Sequence, residues 1–166
     1  MQVKKDRATR CHHAAVGELW GNGGGAMKIM IPVDGSEYTQ RAINYYLDHK
    51  QSFGKFGSVT LFHVGARVPK LFAAALRPEV IESHHAEETG KSMDWARARF
   101  TKYEAVYSEK VEIGDPAEKI ASVAEKEEFD LIIMGSRGHG SLPGLSIGST
   151  ALKVLGACKV PVLVVR

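Results

Sequence analysis

The sequence predicts an α/β fold: a five-stranded parallel sheet with helices on both faces, doubly wound. Three observations predict it. Short apolar runs rich in β-branched residues alternate with helix-like segments, giving five strands and four helices in one chain. Helix starts carry their own markers, above all Asp115-Pro116-Ala117-Glu118. Three loops fall where strands end: Asp34-Gly35-Ser36, the segment after Val64, and Gly135 onward. In such sheets ligands bind outside the carboxyl ends of the strands, where strand order reverses.

Residues 1–26 read as a flexible N-terminal extension. They close in Gly21-Asn22-Gly23-Gly24-Gly25, a flexible-linker composition, and are expected to come from an upstream start or a tag, or to form a natural arm. The folded unit is expected over residues 27–166. Lys28–Val33 is a short apolar run stopped by Asp34-Gly35, hence a strand. Ser36 can cap the next helix, whose Ala42, Ile43, Tyr46 and Leu47 share one face, with Gly54 and Gly57 ending it. Ser58–Val64 is the second strand, and residues 65–77 are irregular. Pro78 can begin a long amphipathic helix reaching about Tyr103, with Ile81, Trp95 and Phe100 on its apolar side.

Val106–Ile113 alternates in polarity and is expected near a sheet edge. The helix after it has Asp115 as N-cap, Pro116 in its first position, Glu118 completing a capping box, and a buried stripe of Ile120, Ala121 and Ala124. Asp130–Met134 is a strand. A glycine-rich segment follows, then a helix over about Ser149–Ala157 and a last strand, Val160–Val165.

Composition narrows the function. The 166 residues suffice for one domain with a real apolar core. Formal net charge is +3. Residues 1–26 carry Lys4, Lys5, Arg7 and Arg10 against Asp6 and Glu18, so the remainder stands near neutrality at +1. A nucleic-acid-binding surface normally shows a clear basic excess, so that class is disfavoured. The two cysteines, Cys11 and Cys158, have no metal or redox spacing, which fits a reducing cytoplasm. No apolar run approaches a membrane span, and residues 1–26 lack the apolar core of a secretory signal.

The glycine-rich segment carries the chemistry. Its spacing is Gly135, two residues, Gly138, nine residues, Gly148, then Ser149. Glycines let the backbone turn and approach a ligand closely. The helix start at Ser149 supplies free N–H groups and a partial positive charge, which suit phosphate oxygens. Ser149 and Thr150 add hydroxyls, and Arg137 can add a forked set of donors. A Walker loop is excluded, because Gly148 is followed directly by Ser149 with no lysine between. The dinucleotide fingerprint is also absent. A plain surface loop between two strand and helix ends remains open from spacing alone.

Together these motifs resemble the universal stress protein family in its ATP-binding branch, over about Met27 to Arg166. The resemblance rests on Ile31-Pro32-Val33-Asp34-Gly35-Ser36, Gly114-Asp115-Pro116, the run Asp130 to Gly138, Gly148-Ser149 and Pro161 to Val165. It implies an adenine-nucleotide α-hydrolase-like fold that binds ATP; Mg²⁺ or Mn²⁺ is expected only from triphosphate chemistry, since such ions commonly bridge phosphates. Asp34 would meet the ribose or adenine edge, and Pro32 and Val33 would line the base pocket. Val64 would offer backbone groups to adenine. Gly135, Arg137, Gly138, Gly148, Ser149 and Thr150 would hold the phosphates, with Met134 a further cofactor-binding candidate. The family often carries a small or branched apolar residue where this chain has Thr150. The resemblance further implies a homodimer, which the apolar strand Val160–Val165 could form at a sheet edge. It also implies a switch read by a protein partner. A slow ATPase or self-phosphorylating protein (acceptors Ser149 or Thr150) and a nucleotide-free dimer are the alternatives.

Several residues are set aside. The pairs His12-His13 and His84-His85 are sequence neighbours, which do not face one another on a helix and so make poor metal sites. His139 is expected in solvent, His63 facing a strand neighbour, Trp95 in the core, and Cys158 as a small buried residue.

Overall fold

Strand β1 (Lys28–Pro32) holds Ile29, Met30 and Ile31 with no exposed surface. Burial of successive residues marks a strand covered on both faces. Helix α1 (Glu37–Asp48) begins where the Ser36 hydroxyl accepts the Thr39 N–H at 3.3 Å. Its stripe of Ala42, Ile43, Tyr46 and Leu47 is buried. Then come β2 (Ser58–Gly65), α2 (Pro78–Lys102), β3 (Ser108–Ile113), α3 (Pro116–Lys126), β4 (Leu131–Gly135), α4 (Ser149–Ala157) and β5 (Val162–Val165). The computed structural model describes residues 27–53, 57–69, 76–139 and 147–166. The expectations for residues 1–26, including Cys11 and the first histidine pair, and for Gly54 lie outside the described residues.

The strands stand in the order β3-β2-β1-β4-β5, and all four pairings are parallel. The chain therefore builds outward from β1 through β2 to β3, then returns to β4 on the other side of β1. Strand order reverses between β1 and β4. That pair is joined only over Ile29–Met30 and Leu131–Ile132, so the ladder stops short of both carboxyl ends. A crevice at this place is what the topology requires. Helices cover both faces. Residues of α1 and α2 share a core with Ile29, Ile31, Leu61 and Ile133. Residues of α3 and α4 share the other with Met30, Phe62, Ile132 and Met134.

Several boundaries differ from the expected ones, each for a local reason. α1 ends at Asp48, before the glycines: the His49 N–H reaches both the Tyr45 and Tyr46 carbonyls, and a 3₁₀ turn (Lys50–Phe53) follows. β3 begins at Ser108, not Val106. Glu104 leaves α2 through a left-handed turn (φ 48°), and Val106 is crossed in the open, 71% exposed. β5 begins at Val162, not Val160. Val160 packs against the α3/α4 core without joining the ladder. In α2 the buried side is Met93, Ala96 and Phe100. Trp95 packs half-buried at its margin, and Ile81 is also only half-buried. Cys158 is half-buried rather than buried.

Candidate functional site

Four loops meet at the carboxyl edge of the sheet. The first is Asp34-Gly35-Ser36. Gly35 has φ +80°, a left-handed turn that suits glycine, and a Cβ there would meet the Ser92 backbone of α2 at 3.1 Å. The turn is thereby pressed against α2. Asp34 is its anchor. Its Oδ1 accepts the Ser36 N–H at 2.9 Å and the Thr39 hydroxyl at 2.5 Å. Its Oδ2 accepts the His139 N–H at 3.3 Å, across the crevice between β1 and β4. Burial pushes the Asp34 carboxyl up, but hydrogen bonds from Ser36 and Thr39, with His139 nearby, outweigh it and hold the group below its ordinary value.

The glycine-rich segment supplies the opposite wall. A Cβ on Gly138 would sit 2.5 Å from Asp34 Oδ2, so a side chain here has to displace either the carboxylate or the turn. The Gly148 N–H donates to the Ser136 carbonyl at 2.7 Å, which ties the two ends of the segment together. Gly148 then caps α4 with no side-chain hydrogen bond. By contrast, Ser36 and Asp115 close the first turns of α1 and α3 with their side chains. Among the described residues no side chain caps the first N–H groups of α4.

A cavity of about 480 Å³ opens here, a volume typical of small-molecule sites. Asp34, Val64 and His139 line it. Sequence reading missed the rest of its wall: His63, Ala66 and Arg67 on or after β2, Glu88, Lys91 and Ser92 on α2, and Gly114-Asp115-Pro116. The last three carried a signal, since they follow a strand at its carboxyl end. In the sequence they stand as a helix start and as a family motif, with no ligand role attached. The α2 residues carried none, because a long helix acquires its role by where it packs.

The expected site residues separate into groups. Asp34 and Val64 share the cavity, and Gly138 abuts Asp34. Ser149 and Thr150 open α4 beside the Gly148–Ser136 bond, Ser149 exposed and Thr150 half-buried. Pro32 ends β1, Val33 follows it directly and Met134 lies in β4. The Val33 side chain packs in the α1/α2 core and that of Met134 in the α3/α4 core, neither in the cavity wall. Gly135 lies under α1, where a Cβ would fall 2.6 Å from the Tyr38 carbonyl carbon. Arg137 leans on the same residue: its Nη1 donates to the Tyr38 hydroxyl at 3.0 Å and its guanidinium lies 5.5 Å from the ring centroid. His139 is exposed, as expected, yet it lines the cavity and its backbone holds Asp34. No group of three or more His, Cys, Asp or Glu able to hold a metal occurs among the described residues. Among the same residues no helix is long and apolar enough to cross a membrane.

Comparison with known proteins agrees with this architecture. Universal stress protein MJ0531 of Methanocaldococcus jannaschii is 30% identical over 142 residues, covering 84% of this chain and 81% of its own. The solved structure of MJ0577 from the same organism superposes with a TM-score of 0.69 at 29% identity, covering 84% of this chain and 94% of that one. More distant structures share the fold. They include an Arabidopsis thaliana universal stress protein family protein with AMP bound (17% identity, TM-score 0.58, covering 84% and 90%) and an Archaeoglobus fulgidus universal stress protein in complex with dAMP (20%, 0.57, 84% and 98%). The model of the universal stress protein family matches residues 26–166. This chain belongs to the universal stress protein family.

Proposed function

We propose that the protein binds ATP at the crevice between β1 and β4 and acts as a nucleotide-dependent switch in a stress response. The observation that carries this reading is the pairing of Gly138 against Asp34 with the uncapped start of α4, held together by the Gly148–Ser136 hydrogen bond. Backbone donors with little side-chain bulk then converge beside a cavity of nucleoside size. The AMP and dAMP complexes of family relatives support the same ligand class.

In this reading Asp34 and the Val64 backbone receive the nucleoside, with Gly114-Asp115-Pro116 beside it. Gly138, Gly148, Ser149 and Thr150 receive the phosphates. Arg137 would meet a phosphate with the donors that its Nη1 bond to Tyr38 leaves unspent. Mg²⁺ or Mn²⁺ would arrive with the triphosphate, bridging phosphate oxygens and water. Asp34 spends both carboxylate oxygens on hydrogen bonds, which leaves it a poor base and favours a switch over an ATPase. The two sheet edges differ. β3 carries Glu109, Lys110 and Glu112, each in an ion pair, while β5 is Val-Leu-Val-Val. An unguarded apolar edge suits pairing with a second copy, so β5 is the proposed homodimer contact.

The test is mass analysis of nucleotide released from purified protein, repeated with Gly138→Val plus Gly148→Val. ATP in the first sample and none in the second supports the reading. Absence from both, with no uptake of added ATP, overturns it and leaves a nucleotide-free dimer. Incubation with ATP and Mg²⁺ separates switch from enzyme: steady ADP release beyond one equivalent means turnover.

A further inference from the structure

His63 is the anomaly of the cavity wall. Its side chain is 4% exposed, at the carboxyl end of β2. Nδ1 lies 2.8 Å from the Val33 carbonyl oxygen. A carbonyl only accepts, so Nδ1 carries the hydrogen, and in a neutral ring Nε2 is left as an acceptor. No ion pair to the ring exists among the described residues, and a buried unpaired cation costs far more than an unpaired lone pair. The ring is therefore taken as neutral. Nε2 is buried and has no hydrogen-bond partner among the described residues. Buried polar atoms are nearly always paired, and an orphan beside a ligand cavity needs an explanation. The ring cannot turn to satisfy Nε2 without giving up the Val33 bond.

Position supplies the explanation. Val33 precedes Asp34, and His63 precedes Val64. The His63–Val33 hydrogen bond thus ties together the residues next to the two that face the nucleoside. We propose that His63 is a ligand-contacting, specificity-determining residue whose Nε2 accepts a hydrogen bond from an N–H or O–H donor on the nucleoside half of the bound nucleotide. The inference rests on the nucleotide-binding reading above. The donor is either the exocyclic amine of adenine or a ribose hydroxyl. Because Nε2 is buried here, the contact forms with a small rearrangement of the wall.

Calorimetric titration tests it, with ATP, inosine triphosphate, 2′-deoxy-ATP and 3′-deoxy-ATP, on wild type and on His63→Leu. The wild type should bind ATP about tenfold more tightly than one of the three analogues, a single hydrogen bond's worth. His63→Leu should lose about the same factor for ATP and lose that one discrimination, which identifies the donor. An inosine-specific loss assigns the amine, and a deoxy-specific loss assigns the matching hydroxyl. A second measurement needs no variant. In ¹⁵N spectra of the wild type, the His63 Nε2 resonance should move on saturation with ATP while Nδ1 stays protonated. An unmoved Nε2 resonance, or equal ATP affinity in His63→Leu, overturns the proposal while leaving nucleotide binding intact. A wild type that binds none of the four overturns both.

Discussion

An alanine at position 138 would bring its Cβ to 2.5 Å from Asp34 Oδ2, far inside van der Waals contact. A free carboxylate would swing aside at little cost. This one is held on Oδ1 by the Ser36 N–H and the Thr39 hydroxyl, and on Oδ2 by the His139 N–H. Rotating Asp34 endangers all three of these hydrogen bonds, whereas shifting the glycine turn gives up one of the three, the bond from His139. The turn should therefore move. A hydrogen bond to a charged group is worth about 1.5–3 kcal/mol, and the long His139 bond on a partly exposed carboxylate belongs at the low end. With residual overpacking, Gly138→Ala should destabilise by about 2 kcal/mol. For a chain of this size that lowers the melting temperature by roughly 4–8 °C. ATP affinity should fall about tenfold or more, since the turn has left its place. The assay is urea unfolding by circular dichroism on Gly138→Ala, Asp34→Ala and the double variant, with calorimetric ATP titration. Once the carboxylate is gone the methyl has room, so Gly138→Ala should cost under about 0.5 kcal/mol in the Asp34→Ala background. Equal costs in both backgrounds would show that the two residues do not oppose each other, and the account of the site would fail.

Three further outcomes follow from the same geometry. The Asp34 carboxyl titrates below its ordinary value of 3.8, so it stabilises the fold above that pH and loses this contribution as pH falls through the lowered value. Asp34→Asn should therefore be less stable at neutral pH and decline less steeply in urea midpoint below pH 3.8; parallel declines would contradict this. Gly135→Ala places a methyl 2.6 Å from the Tyr38 carbonyl carbon, and helix backbone cannot step aside, so unfolding measurements should show a loss of about 3 kcal/mol. In β5 the Pro161 and Val165 carbonyls accept from β4, so by alternation the outward N–H groups are those of Val162 and Val164. Val164→Pro should thus leave the β4 ladder intact and turn the proposed dimer into a monomer, as read by sedimentation at micromolar protein; a persisting dimer would rule out this edge.

The elements legible from sequence are those whose signals are local. The cap at Ser36 and the Asp115-Pro116 start act within one helical turn, and both helices begin there. The apolar runs of β1, β2 and β4 reflect burial on both faces, which needs no knowledge of neighbours. Boundaries failed where the apolar character had another source. Val160 is apolar because α3 and α4 cover it, and Val106 is apolar yet exposed, for which the structure offers no reason. Within the site, Gly138 and Gly148 stood out by spacing. His63 did not, because an orphaned ring nitrogen is created by a partner thirty residues away. Arg137 is a phosphate-ligand candidate by its place in the segment, and the segment does not show that its Nη1 donates to the hydroxyl of Tyr38, in the first turn of α1.

The sequence alone determined the alternation of strands and helices, the glycine spacing and the family resemblance, because each is written in contiguous residues whose chemistry acts over a few ångströms of chain. Only the tertiary structure decided that Asp34 is a clamp between two loops, that α2 walls the cavity, and that His63 carries an unspent acceptor. Those properties arise from distances between segments far apart in the chain. Packing sets such distances, and no local pattern encodes them.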